Sequence, residues 1–106
     1  METTQIDSLE SYNVIDSIDF GETVVFTKFG TEWCKPCVNL EKVLLTVKDS
    51  VVYKVDVEND AFEDFLCENR ISNIPCTIIR YKKKKTQFVG MRNLTEIDRM
   101  IELLKA

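Results

Sequence analysis

Trp33-Cys34-Lys35-Pro36-Cys37 sets two thiols two residues apart, with a cation and a proline between them and an indole ahead. A strand-like run, Thr23 to Phe29, precedes them, and a helical stripe of Leu40, Val43, Leu44 and Val47 follows. A C-x-x-C at a strand-to-helix junction reads as a thiol–disulfide redox site. Cys34 then falls at or near a helix N-cap, where free backbone N–H groups and the positive end of the macrodipole favour a thiolate. Pro36 suits the first turn, where its missing N–H is no loss. Cys37 lies about one turn on, within reach of Cys34 for a short disulfide. The expected roles are unequal: Cys34 is exposed and attacks, and Cys37 is buried and resolves. Lys35 adds positive charge that favours a thiolate or an acidic target, and Trp33 offers an apolar contact surface. The competing reading, two unrelated core cysteines, is opposed by the tryptophan, the proline and the strand–helix context.

Composition removes several other chemistries. The absence of histidine excludes Cys–His nucleophile pairs, histidine metal sites and imidazole acid–base catalysis. A net charge of −4 argues against broad nucleic-acid binding. The other cysteines, Cys67 and Cys76, follow Cys34 and Cys37 at spacings that match no ordinary zinc module, so no metal is expected. The 106 residues, 44% hydrophobic, are expected to form one domain spanning 1–106 with a core that needs no disulfide framework. No apolar run approaches the ~18 residues of a membrane span. The polar start, Met1 to Gln5, resembles neither a signal nor a transit peptide. Four cysteines without such a signal suggest a reducing compartment, and a cytoplasmic location is expected.

The elements that must position the dithiol can be read in order. Thr3 to Asp7 suggests a short edge strand. Asp7 and Glu10 suggest a helix start, with Leu9, Tyr12, Ile15 and Ile18 as its stripe. Thr23 to Phe29 is dense enough in β-branched and aromatic residues for a central strand buried on both faces. The helix after Pro36 is expected to reach about Lys48. Val51 to Val57 reads as a second central strand, and Asp60 and Glu63 as the start of a helix burying Phe62, Phe65 and Leu66. Ile74 to Tyr81 is strand-like, with Pro75 near its start. Lys82 to Lys85 reads as a solvated turn, and Thr86 to Val89 as the returning strand, ended by Gly90. Asn93 and Glu96 cap a last helix that turns Leu94, Ile97, Ile101 and Leu104 inward. Asn93-Leu94-Thr95 also matches a glycosylation sequon, and is read as the cap. The order β-α-β-α-β-α-β-β-α implies an α/β fold: a central mixed sheet flanked by helices.

With motif, order and spacing assembled, the whole chain resembles a thioredoxin. Trp33-Cys34-Lys35-Pro36-Cys37 looks like that family's W-C-G-P-C, with Lys35 replacing glycine. Lys54-Val55-Asp56-Val57 resembles the strand whose lysine lies behind the active site. Ile74-Pro75 resembles the cis-proline loop, and Gly90 the glycine closing the last strand. The resemblance implies a thioredoxin fold and a disulfide reductase with Cys34 as nucleophile and Cys37 as resolving thiol. It implies that Pro75 is cis and packs against the dithiol, and that the Ile74 backbone and Trp33 hold an extended target segment. Lys28, Lys35, Pro36 and Lys54 are the supporting residues. No cofactor is implied beyond the Cys34–Cys37 disulfide. The implied partners are protein disulfides and an upstream reductase such as thioredoxin reductase, with no nucleic acid, no membrane and a monomeric chain.

Two positions depart from the family. Lys28 stands where the family has a buried aspartate behind the second cysteine. As a neutral amine it could relay a proton; as a cation it would stabilise a thiolate and make the disulfide more oxidising. Asp56 or Glu58 is its expected partner, and snorkelling to solvent is the plainer alternative. Cys76 follows Pro75 where the family often has threonine, and reads as a buried structural thiol, whereas Cys67 reads as partly exposed. Two alternatives to a reductase remain: an oxidase- or isomerase-like variant tuned by Lys28, and a binding subunit that uses the Trp33 and Ile74 surface.

Overall fold

The computed structural model describes residues 3–106; Met1 and Glu2 of the polar start lie outside the described residues. The elements are β1 (Thr3–Gln5), α1 (Leu9–Ser17), β2 (Val24–Gly30), α2 (Lys35–Leu44) and β3 (Ser50–Asp56). A 3-10 turn (Asp60–Phe62), α3 (Glu63–Glu68), β4 (Cys76–Tyr81), β5 (Lys84–Val89) and α4 (Leu94–Lys105) complete the order. The expected alternation is present, and the five-stranded sheet has the order β1-β3-β2-β4-β5. β1, β3 and β2 run parallel, and β4 and β5 add antiparallel strands, which makes the sheet mixed.

Strand alternation assigns each side chain of β2 to one of two cores. Val24 and Phe26 face a cluster built with Leu40 and Leu44 of α2 and Ile97, Ile101 and Leu104 of α4. Phe29 faces the other cluster, with Tyr12 of α1, Val55 and Phe62, and with Phe65 and Leu66 packed against it. All seven residues of β2 are buried. That is why the densest apolar run in the chain occupies the middle of the sheet.

Several boundaries differ from expectation, each for a local reason. α2 ends at Leu44 rather than near Lys48. The Thr46 hydroxyl donates to the Val43 carbonyl at 2.6 Å, and this local bond competes with further helix. Ser8, not Asp7, caps α1 by accepting the Ser11 N–H, and Ile18 lies past the helix and is exposed. Asn59, not Asp60, opens the 3-10 turn. The lysine run is only half a turn: Lys82 takes a positive φ of 56°, while Lys84 and Lys85 already belong to β5. Leu94 is exposed at the start of α4, whereas Ile97, Ile101 and Leu104 are buried as expected. Asn93 and Glu96 form the full reciprocal capping box.

Arg80 ties the sheet to α1. Its guanidinium donates to the Ile15 and Ile18 carbonyls at 2.9 and 3.1 Å, where the helix ends; the Ile15 carbonyl also accepts the Ile18 N–H.

Candidate active site

Cys34 is the N-cap of α2, and Cys37 follows one turn later. The two are joined in a disulfide, with Cα atoms 5.2 Å apart. The Cys37 N–H donates to Cys34 Sγ at 3.2 Å, so the first sulfur occupies the place of a capping oxygen. Cys34 is 7% exposed and Cys37 0%. The expectation of a well-exposed Cys34 is therefore corrected to a narrow opening, because the motif folds back onto β2. The asymmetry between the two sulfurs still has the expected sense. Lys35 and Pro36 are exposed on the first turn.

Gly30, at the end of β2, lies directly beneath the second sulfur. A Cβ there would stand 2.7 Å from Cys37 Sγ and 3.1 Å from its Cβ. No side chain fits between strand and disulfide at this point. Sequence reasoning missed Gly30; its place three residues ahead of Trp33, at the end of a buried strand, was the available signal.

Trp33 is 70% exposed beside Cys34, and its indole N–H donates to Glu58 Oε1 at 2.9 Å. Glu58 is thus a tether for the indole and not a partner of Lys28. Ile74 is half-buried and Pro75 is buried, with the Ile74–Pro75 peptide cis. Phe29 pairs with Cys76 across β2 and β4, so Pro75 falls level with Gly30, at the same end of the sheet as the dithiol. The Pro75 carbonyl accepts the Gly90 N–H at 2.8 Å, and Gly90 takes a φ of 85°, which suits glycine.

Lys28 does not snorkel: it is 4% exposed. Alternation places it on the α2 face of β2, the face that Asp56 shares through its pairing with Gly30, yet its ammonium bonds α2 and not Asp56 or Glu58. Its ammonium donates to the Cys37 carbonyl at 3.1 Å and to Glu41 Oε1 at 2.9 Å. Burial pushes the Glu41 carboxyl up, but the hydrogen bond and charge of Lys28, helped by Lys54, outweigh it and hold the group below its usual range. Glu41 was not foreseen, although its position four residues after Cys37 on one helix puts both on one face. Lys54 pairs in register with Lys28, and both line a cleft of about 280 Å³ together with Gly30, Thr31, Glu41 and Asp56.

Cys76 is fully buried in the core on the opposite face from Lys28, where burial raises its thiol above the ordinary value. Cys67 is exposed on α3. The four cysteines are not gathered, and among the described residues no group of three or more His, Cys, Asp or Glu is arranged to hold a metal ion.

No protein-family model matches the chain. The mitochondrial thioredoxins of Mus musculus and Bos taurus are each 30% identical to it over 115 aligned positions, which cover 96% of this chain and 67% of theirs. Thioredoxin O1 of Arabidopsis thaliana, solved in its oxidized state, superposes with a TM-score of 0.73 over 98% of both chains. At 20% identity that likeness establishes the thioredoxin fold alone. The mouse and bovine relatives overturn the expectation of a cytoplasmic protein, since both are mitochondrial. Neither the oxidase-like variant nor the binding subunit is favoured by these relatives. A linked Cys-x-x-Cys pair capping a helix, on this sheet and with these relatives, leads to one assignment: the chain belongs to the thioredoxin family and is a thiol–disulfide oxidoreductase.

Proposed function

We propose that residues 1–106 act as one domain that reduces protein disulfides through Cys34 and Cys37. One observation carries the reading: the disulfide caps α2, and Cys34 is the sulfur that keeps solvent access. In the reduced protein the Cys34 thiolate attacks a target disulfide. One target sulfur leaves as a thiolate, and a mixed disulfide forms. Cys37 then loses its proton and attacks Cys34 Sγ, which expels the second target sulfur and closes the Cys34–Cys37 bond. Two electrons pass to the target. The redox-active group is the cysteine pair itself, with no added cofactor.

Trp33, Ile74 and Pro75 form the target-binding surface, and Lys28, Lys35, Pro36 and Lys54 support the dithiol. An upstream reductase such as thioredoxin reductase restores the reduced state, and the chain works as a monomer. The names of the mouse and bovine relatives support a mitochondrial setting.

Reduction of insulin by dithiothreitol, followed as turbidity, tests this reading. Wild-type protein accelerates it, Cys34→Ser abolishes the acceleration, and Cys37→Ser accumulates a mixed disulfide visible by mass. A redox midpoint near about −270 mV places the protein among the reductants, while about −200 to −120 mV makes it an oxidant or isomerase. Full activity in Cys34→Ser would remove the proposal.

A further inference from the structure

We infer that Glu41 is a second determinant of the redox equilibrium, acting as counter-charge to Lys28, so that the pair and not Lys28 alone decides how oxidising the dithiol is. The inference rests on the reading of Cys34–Cys37 as the redox centre.

The geometry is a chain of direct contacts. Gly30 lies under Cys37 Sγ, and Lys28 projects from the same face of β2 two residues earlier. The Lys28 ammonium is shared between the carbonyl of Cys37, at 3.1 Å, and the Glu41 carboxylate, at 2.9 Å. Its side chain is 5% exposed and that of Glu41 24%. A buried cation left to itself would stabilise any thiolate of the reduced pair, and charge interactions are strong where water is excluded. A stabilised thiolate favours the dithiol and makes the disulfide a stronger oxidant. Glu41 cancels that charge from the other side. Removing Glu41 exposes the cation to the sulfurs, and removing Lys28 exposes the carboxylate, so the two changes have opposite signs. The other charged groups lining this cleft are Glu32, ahead of the motif, and Lys54 and Asp56 on β3. Lys54 also lowers the Glu41 carboxyl, so it still offsets part of the charge that Lys28→Met uncovers, and the effect of that variant is the smaller of the two.

The test equilibrates wild-type protein, Glu41→Gln, Lys28→Met and the double variant with reduced and oxidised glutathione near neutral pH. Thiol alkylation and mass measurement read the redox state. In the exchange two glutathione thiols give up two electrons and two protons and become one glutathione disulfide. The Cys34–Cys37 bond breaks, and both cysteines become thiols. Glu41→Gln is expected to shift the equilibrium about tenfold toward the dithiol, which is about 30 mV for this two-electron couple. Lys28→Met is expected to shift it the other way by about threefold, less than tenfold because Lys54 still counters Glu41, with the double variant close to wild type. A pair that only holds the fold together would lower stability in both single variants without moving the equilibrium in opposite directions. Should Lys28→Met not fold, the partly exposed Glu41→Gln decides alone: a shift toward the dithiol supports the inference, and no shift or the reverse overturns it. A wild-type protein without a two-electron transition would overturn the redox centre itself; a normal wild-type transition with unmoved variants overturns only the pair.

Discussion

Gly30 shows most plainly how one residue constrains the site. The second sulfur rests on a strand position where no side chain fits, because an added Cβ would stand 2.7 Å from Sγ. Gly30→Ala must push the disulfide and the first turn of α2 outward. We expect a loss of about 1–3 kcal/mol in denaturant unfolding of the oxidised protein. The oxidised form should suffer more than the reduced form, in which the sulfurs are free to separate. Equal losses in both forms would mean that the strand, not the disulfide, absorbs the strain. Lys28 makes the complementary point. Its identity was plain in the chain, yet its partner is Glu41 of α2: Asp56 lines the same cleft without bonding it, and Glu58, beyond the end of β3, holds Trp33 instead. Exposure of Cys34 was overestimated in the same way, because the fold of the motif onto β2 is not a property of the five residues alone.

At the scale of elements, local chemistry decided most boundaries. The capping box of α4 was legible because Asn93 and Glu96 satisfy each other within a single turn. Asn93→Ala removes the acceptor for the Glu96 N–H and is expected to cost about 1 kcal/mol, read as a lower Tm with unchanged redox activity. A change within about 0.3 kcal/mol would show that water replaces the cap. The end of α2 was less legible. Its apolar stripe continues to Val47, which is buried, but the backbone leaves the α-helix at Leu44 and reaches that contact through turns. Periodicity reports which side chains face the core, not which hydrogen bonds carry them there. The lysine run was misread for a related reason: Lys84 and Lys85 are edge-strand residues whose charge suits an open sheet edge.

The whole molecule responds to pH through groups that no single element explains. Tyr12 of α1 is buried against Phe29 and Phe65. That burial, with the Asp16 charge, raises its phenol from 10.0 to about 12 against the opposing pull of Arg80. In the unfolded chain the phenol ionises first as pH rises, so the folded state binds more protons there. The stabilising contribution is complete below pH 10.0 and is lost between that value and about 12. Thermal melts over this range should show a falling Tm that Tyr12→Phe flattens; identical slopes would place the alkaline transition elsewhere. The same division between near and far separates what the sequence determined from what only tertiary structure decided. The dithiol, the strand before it, the helix after it, the α/β order and the capping of α4 all arise from neighbours along the chain, where residue type and spacing act directly. The closeness of Gly30 to Cys37, the pairing of Lys28 with Glu41, the tether from Glu58 to Trp33 and the level of Pro75 beside the site arise from packing helices on a twisted sheet. Strand alternation makes one face or the other available to each side chain, but which helix covers that face is settled only when the sheet and both cores close.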